Sequence, residues 1–132
     1  MLALVVDDSN TMRHILQRIV GGLGFASYEA GNGREALDLL LEIPTVPDIA
    51  LIDWNMPVMD GLELIRHVRK IPPLRDMCMM MVTTEAEHSQ MVRALAAGAH
   101  EYVLKPFTPE IIRQKLAYLG LVAPEKPVAA GV

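Results

Sequence analysis

The chain has 132 residues, 52% of them apolar, a net charge of −4 and one cysteine. At that length a single core can bury roughly two thirds of the surface of the unfolded chain, which suits one domain and leaves no room for a second output domain. The apolar runs MLALVV and MCMMMV fall far short of the roughly 20 residues of a membrane helix, no basic segment precedes the first, and Lys and Arg are scattered, so membrane, secretory and nucleic-acid roles are not expected.

A cytoplasmic protein is therefore expected, with the lone Cys78 as a small core residue that has no disulfide partner. In chain order, LALVV (2–6) is a continuous apolar strand. Met12, Ile15, Leu16, Ile19, Val20 and Leu23 then repeat at helical spacing, and Gly21, Gly22 and Gly24 close that helix. ASYEA (26–30) alternates and suits an edge strand. The next helix carries Ala36, Leu37, Leu40 and Leu41 and ends before Pro44.

DIALID (48–53) reads as a buried strand that stops at a carboxylate. Asp60 and Glu63 form a capping-box-like start for a helix with Leu64, Ile65 and Val68, which Pro72 and Pro73 stop. MCMMMVT (77–83) reads as a strand by length and position, and a helix around Met91, Val92 and Leu95 ends at Gly98. EYVLK (101–105) is the last strand, and Thr108 with Pro109 opens a final helix that Gly120 ends. Residues 1–120 thus form the domain, and 121–132 read as a loose Pro- and Ala-rich tail.

Five strands alternating with five helices imply an α/β fold with a doubly wound five-stranded parallel sheet. The order 2-1-3-4-5 puts the apolar strands inside and ASYEA at an edge, and it sets strands 1 and 3 side by side where the winding reverses, which is where such sheets bind ligands. Asp7 and Asp8 would then end beside Asp53, since neighbouring strands lie about 4.8 Å apart. Three carboxylates there repel one another without a cation. Mg²⁺ is the natural candidate, because it takes oxygen ligands and keeps exchangeable waters. The fourth strand brings the Thr83 hydroxyl to the same edge and the fifth brings the Lys105 ammonium. An aspartate, a metal and two groups suited to phosphoryl oxygens make a phosphoryl-transfer site with Asp53 as nucleophile.

The residues VVDDS, LIDWNMPVMDGLELI, MVTTEAE and YVLKPFTPE, in this order and at these spacings, resemble the receiver domains of bacterial two-component response regulators over about residues 1–120, most of all the single-domain chemotaxis type. The resemblance implies the flavodoxin-like receiver fold, phosphorylation of Asp53 by a histidine kinase, and Mg²⁺ bound by Asp8, Asp53 and the backbone carbonyl of Asn55, with Asp7 acting through water. It implies that Thr83 and Lys105 hold the phosphoryl group, that Tyr102 reports the state by moving inward, and that the Lys105–Pro106 bond is cis. Asn55 and Glu85, two residues beyond the phosphoacceptor and beyond Thr83, would tune dephosphorylation towards a short-lived signal. Such a protein is a phosphoacceptor that assists its own phosphorylation and dephosphorylation rather than an enzyme. Its partners would be the kinase, a phosphatase and a target such as a flagellar motor switch component. Thr84 departs from the small residue common in receivers, and its extra bulk would narrow donor access.

Other readings stand beside this one. Asp7 and Asp8 alone could be carboxylates at a helix N-terminus, Lys105 a solvated charge, Thr83 a strand former and Tyr102 half-buried packing. Trp54 is expected to be a partly exposed packing residue, and His14, His67, His88 and His100 surface residues without metal-ligand spacing. A flavin module would need a Ser/Thr-rich phosphate loop where this chain has DDSNT, and a haloacid-dehalogenase-type phosphatase a second Asp two residues on, where Ser9 and Asn10 stand. A metal-free scaffold of the same fold is a further alternative, as are a phosphorelay intermediate or a receiver cut from a longer regulator.

Overall fold

The computed structural model describes residues 1–124. Five strands, β1 (Leu2–Val6), β2 (Ala26–Ala30), β3 (Ile49–Ile52), β4 (Cys78–Thr83) and β5 (Glu101–Leu104), alternate with helices α1 (Asn10–Gly22), α2 (Gly33–Glu42), α3 (Gly61–Lys70), α4 (His88–Ala97) and α5 (Pro109–Tyr118). The strands form one parallel sheet in the order β2-β1-β3-β4-β5, which is the order that satisfies the apolar patterning of the strands and that the receiver resemblance implies.

Period-two alternation in the central strands divides the core between two faces of the sheet. Leu4, Val6, Ala50, Ile52, Met79 and Met81 pack with Ala36, Leu40, Leu62, Ile65 and Ala94 from α2, α3 and α4. Ala3, Val5, Ile49, Leu51, Met80 and Val82 pack on the other face with Leu16 and Val20 of α1 and Ile112 and Leu116 of α5. Methionine has no strand preference of its own. Met79, Met80 and Met81 are fully buried in β4 because their flexible side chains fill both faces.

Side-chain caps set most helix starts. Ser9 Oγ accepts from Met12 N, Asn32 Oδ1 from Glu35 N, Asp60 Oδ1 from Glu63 N and Thr108 Oγ1 from Ile111 N. Pro72 and Pro73 do end α3, but they enter a one-turn 3₁₀ helix, Pro72–Leu74, rather than an open loop. In β2 the expected alternation does not become alternating burial, and only Ala30 is buried. As an edge strand beside β1 alone, β2 has too little cover for its inward residues.

Trp54 corrects the expectation of a partly exposed ring. It is only 6% exposed and belongs to the core on the α2–α3–α4 face. The alternation that turns Ala50 and Ile52 to that face continues one step past the strand end, and the Arg93 guanidinium of α4 lies 5.8 Å from the ring centroid. Cys78 is half-buried at the start of β4, and burial pushes its thiol up. The four histidines are exposed. Leu121 and Val122 pack partly against the α1–α5 core, while residues 125–132 of the expected tail lie outside the described residues.

Candidate functional site

Three residues one step beyond the strand ends define the site, each anchored by the last bond of a ladder. Asp7 N donates to Ala30 O at 3.1 Å, Asp53 N to Val6 O at 2.9 Å and Lys105 N to Thr83 O at 2.8 Å. The backbone that carries each charged group is thereby fixed by the sheet, while the side chain is free of it.

The carboxylates of Asp7, Asp8 and Asp53 meet, with one oxygen of each within 4.8 Å of the others. Asp7 is 1% exposed and Asp53 9%, whereas Asp8 is exposed at the rim. Lys105 Nζ lies 2.7 Å from Asp7 Oδ2 and 3.3 Å from Asp53 Oδ2. Ser9 N donates to Asp7 Oδ1 at 2.9 Å and Trp54 N to Asp53 Oδ1 at 2.8 Å, which fixes the planes of both carboxylates. Burial raises the Asp53 pKa above its usual value, the Lys105 charge opposes this and the Asp7 charge adds to it. One ammonium cannot neutralise three carboxylates. The remaining charge and the all-oxygen donor set fit a hard divalent cation. The helix-terminus reading of Asp7 and Asp8 loses its force, because Ser9 caps α1 and no acidic residue stands in the first turn.

Thr83 is fully buried at the end of β4, and its Oγ1 accepts from Glu85 N at 3.3 Å. A hydroxyl that accepts this bond keeps its own proton to donate. Asn55 is exposed, and its Nδ2 donates to Glu85 Oε1 at 2.6 Å. Thr84 is exposed. The Tyr102 ring, expected to move inward on activation, is already buried here at 8% exposure, with its hydroxyl donating to the Glu85 carbonyl at 2.6 Å. Its pKa is pushed up to about 12, by burial first and then by the charges of Glu85 and Asp53. The Lys105–Pro106 peptide is cis.

Two contributors escape a reading by residue type. Gly61 N donates to Trp54 O at 2.8 Å, and a Cβ on Gly61 would stand 2.1 Å from the Asp53 carbonyl oxygen. The one hint in the sequence is a glycine just after the cap Asp60, where a better helix former could stand. Arg13, on the first turns of α1, reads as a solvated charge, yet its Nη1 donates to the Asp7 carbonyl at 2.6 Å.

A doubly wound sheet with an acidic cluster, a hydroxyl and a lysine at the carboxyl ends of its strands defines a receiver-type phosphoacceptor domain. The chain belongs to the response regulator receiver domain family, whose model matches residues 3–117. It is similar to the chemotaxis protein CheY homolog of Campylobacter jejuni, 45% identical over 117 residues that span 88% of this chain and 89% of the relative. Chemotaxis protein CheY1 of Helicobacter pylori is 39% identical over 88% of this chain and 94% of its own length. Among solved structures, chemotaxis protein CheY4 of Vibrio cholerae superposes with a TM-score of 0.82 at 32% identity, covering 89% of this chain and 96% of that one.

Proposed function

We propose that this protein is a phosphorylation-activated response regulator of the single-domain chemotaxis type, acting in the cytoplasm, which takes a phosphoryl group from a histidine kinase on Asp53. The observation that carries the reading is a carboxylate fixed at a strand end, Asp53, clustered with those of Asp7 and Asp8, with the Lys105 ammonium bridging Asp53 and Asp7. The chemotaxis names of its relatives support the behavioural role. A flagellar motor component as target and a phosphatase as partner belong to the same proposal.

In the transfer, an Asp53 carboxylate oxygen attacks phosphorus, the P–N bond to the kinase histidine breaks, and the imidazole leaves and takes a proton from solvent. The Trp54 N–H bond holds the carboxylate for this attack, so little reorganisation remains. Lys105 then follows the charge from the carboxylate to the phosphoryl oxygens, and Thr83 offers its free O–H. Asp8, Asp53 and the Asn55 carbonyl would hold Mg²⁺, with Asp7 contributing through water, and the ion would neutralise the acidic cluster and draw charge from the phosphoryl oxygens.

Signal output follows from Thr83 and Tyr102. A phosphoryl group that draws Thr83 towards it vacates space on the β4 side. The ring of Tyr102 already occupies the inward position through its bond to Glu85, so phosphorylation shifts the population of that position rather than creating it. A target that prefers one state reads the difference on the face of α4, β5 and α5.

Incubation with acetyl phosphate tests the reading, and labelling of Asp53 that requires Mg²⁺ is the expected result. Protein that takes up no label, or takes it up equally in EDTA, refutes it. Metal binding is checked separately by titrating Mg²⁺ against the fluorescence of Trp54, which directly follows Asp53. Asp8→Ala is expected to weaken Mg²⁺ affinity by at least about tenfold, since it removes one of few hard ligands. Unchanged affinity contradicts the assignment.

The lifetime of the label would be set at Asn55 and Glu85, whose side chains are joined by a 2.6 Å hydrogen bond from Asn55 Nδ2 to Glu85 Oε1. A short-lived phosphorylated state is expected, together with altered decay in Asn55→Ala and Glu85→Ala proteins. A wild-type label that persists for hours, or decay indifferent to both substitutions, argues against it.

A further inference from the structure

The Asp8 side chain is exposed, and among the described residues no other side chain grips it, yet its carboxylate stands with those of Asp7 and Asp53. Its position must therefore come from its backbone. The carbonyl of Asp7 and the N–H of Asp8 belong to one peptide plane, and the plane's orientation fixes ψ of Asp7 and φ of Asp8. Arg13 Nη1 donates to that carbonyl at 2.6 Å.

Arg13 is itself held. Its Nε donates to Glu29 Oε1 on β2 at 3.1 Å, its Nη2 meets Asn10 Oδ1, and its side chain is only 12% exposed. A planar guanidinium anchored at two points presents its third group in a set direction, which a lysine cannot do. We propose that Arg13 is a positioning residue of the acidic site, orienting the Asp7–Asp8 peptide so that the Asp8 carboxylate faces those of Asp7 and Asp53 for cation binding. This inference rests on the cation reading given above.

The charge of Arg13 acts in the opposite sense, since a guanidinium near the site repels Mg²⁺. Glu29 forms an ion pair with it, which reduces its field at the site. The geometric effect therefore prevails, and removal of Arg13 weakens cation binding instead of strengthening it.

Mg²⁺ titrations followed by Trp54 fluorescence decide the question, with thermal unfolding of the metal-free proteins in parallel. Arg13→Ala is expected to weaken Mg²⁺ affinity by about tenfold, in the range seen when groups behind metal ligands are removed. Arg13→Lys, which keeps one donor, recovers part of the loss. Glu29→Gln, which keeps the acceptor for Nε, stays near the wild type if geometry matters more than charge. In an Asp8→Asn background Arg13→Ala has no further effect, because the residue through which it acts is already impaired. A purely structural role would lower the unfolding temperature and leave this coupling at zero. Unchanged or tighter Mg²⁺ binding by Arg13→Ala overturns the inference, and if that protein does not fold, wild-type affinity in Arg13→Lys overturns it equally. Wild-type protein whose fluorescence ignores Mg²⁺ instead overturns the cation reading itself.

Discussion

Asp53→Asn protein folds and takes up no label from acetyl phosphate or from a phosphorylated kinase. An amide fits the space of the carboxylate, and its oxygen accepts the Trp54 N–H bond that holds Oδ1 at 2.8 Å. The amide is uncharged, however, and too poor a nucleophile to attack phosphorus. The substitution also removes a buried charge. Burial raises the pKa of Asp53 in the folded protein, the Lys105 charge opposes this and the Asp7 charge reinforces it. A carboxyl with a raised folded pKa binds its proton more tightly when folded, so metal-free stability rises as pH falls through the raised value towards the unfolded one. Above that window the ionised group is a cost. In metal-free buffer at neutral pH the Asn protein is accordingly expected to unfold at a slightly higher temperature than the wild type, with the difference shrinking on acidification. Labelling of the Asn protein at the wild-type rate would remove Asp53 from the mechanism. A large drop in its unfolding temperature would show that the Lys105 pairing outweighs desolvation.

Gly61→Ala is expected to destabilise the protein by about 3 kcal/mol, the upper part of the usual range for overpacking. The added Cβ would lie 2.1 Å from the Asp53 carbonyl oxygen and 3.0 Å from Ile52 Cγ2. Backbone is the first obstacle, so no side-chain rotation relieves it. Against this stands the better helix propensity of alanine, at most about 1 kcal/mol. The clash wins. Relief requires the loop after β3 to move, and that loop carries the Trp54 N–H that orients Asp53. Slower phosphorylation should therefore accompany the lower denaturation midpoint. Equal stability and equal labelling in Gly61→Ala would mean that the loop yields freely and that the close approach has no role.

Features that depend on local period and residue chemistry are legible in the amino-acid order. LALVV and IALI are apolar at every position and so read as strands covered on both faces, because side chains one apart in a strand must point oppositely. Asp60 and Thr108 mark helix starts because their side-chain oxygens reach a backbone N–H three residues on. Carboxylates at the ends of two apolar strands, followed by a hydroxyl and a lysine at the ends of two more, imply one chemical site once the strands are ordered. Tertiary structure alone decided the contacts within that site. Lys105 and Asp7 stand 98 residues apart, and the division of the ammonium between Asp7 and Asp53 follows from the register of four strands. Trp54 is buried because α2, α3 and α4 cover the face to which it turns, and Arg13 reaches the Asp7 carbonyl because α1 packs across β1 beside Glu29 of β2. Close approach of Gly61 to Asp53 is likewise invisible in residue type. Such contacts depend on where whole elements settle, and local propensity acts over only a few residues.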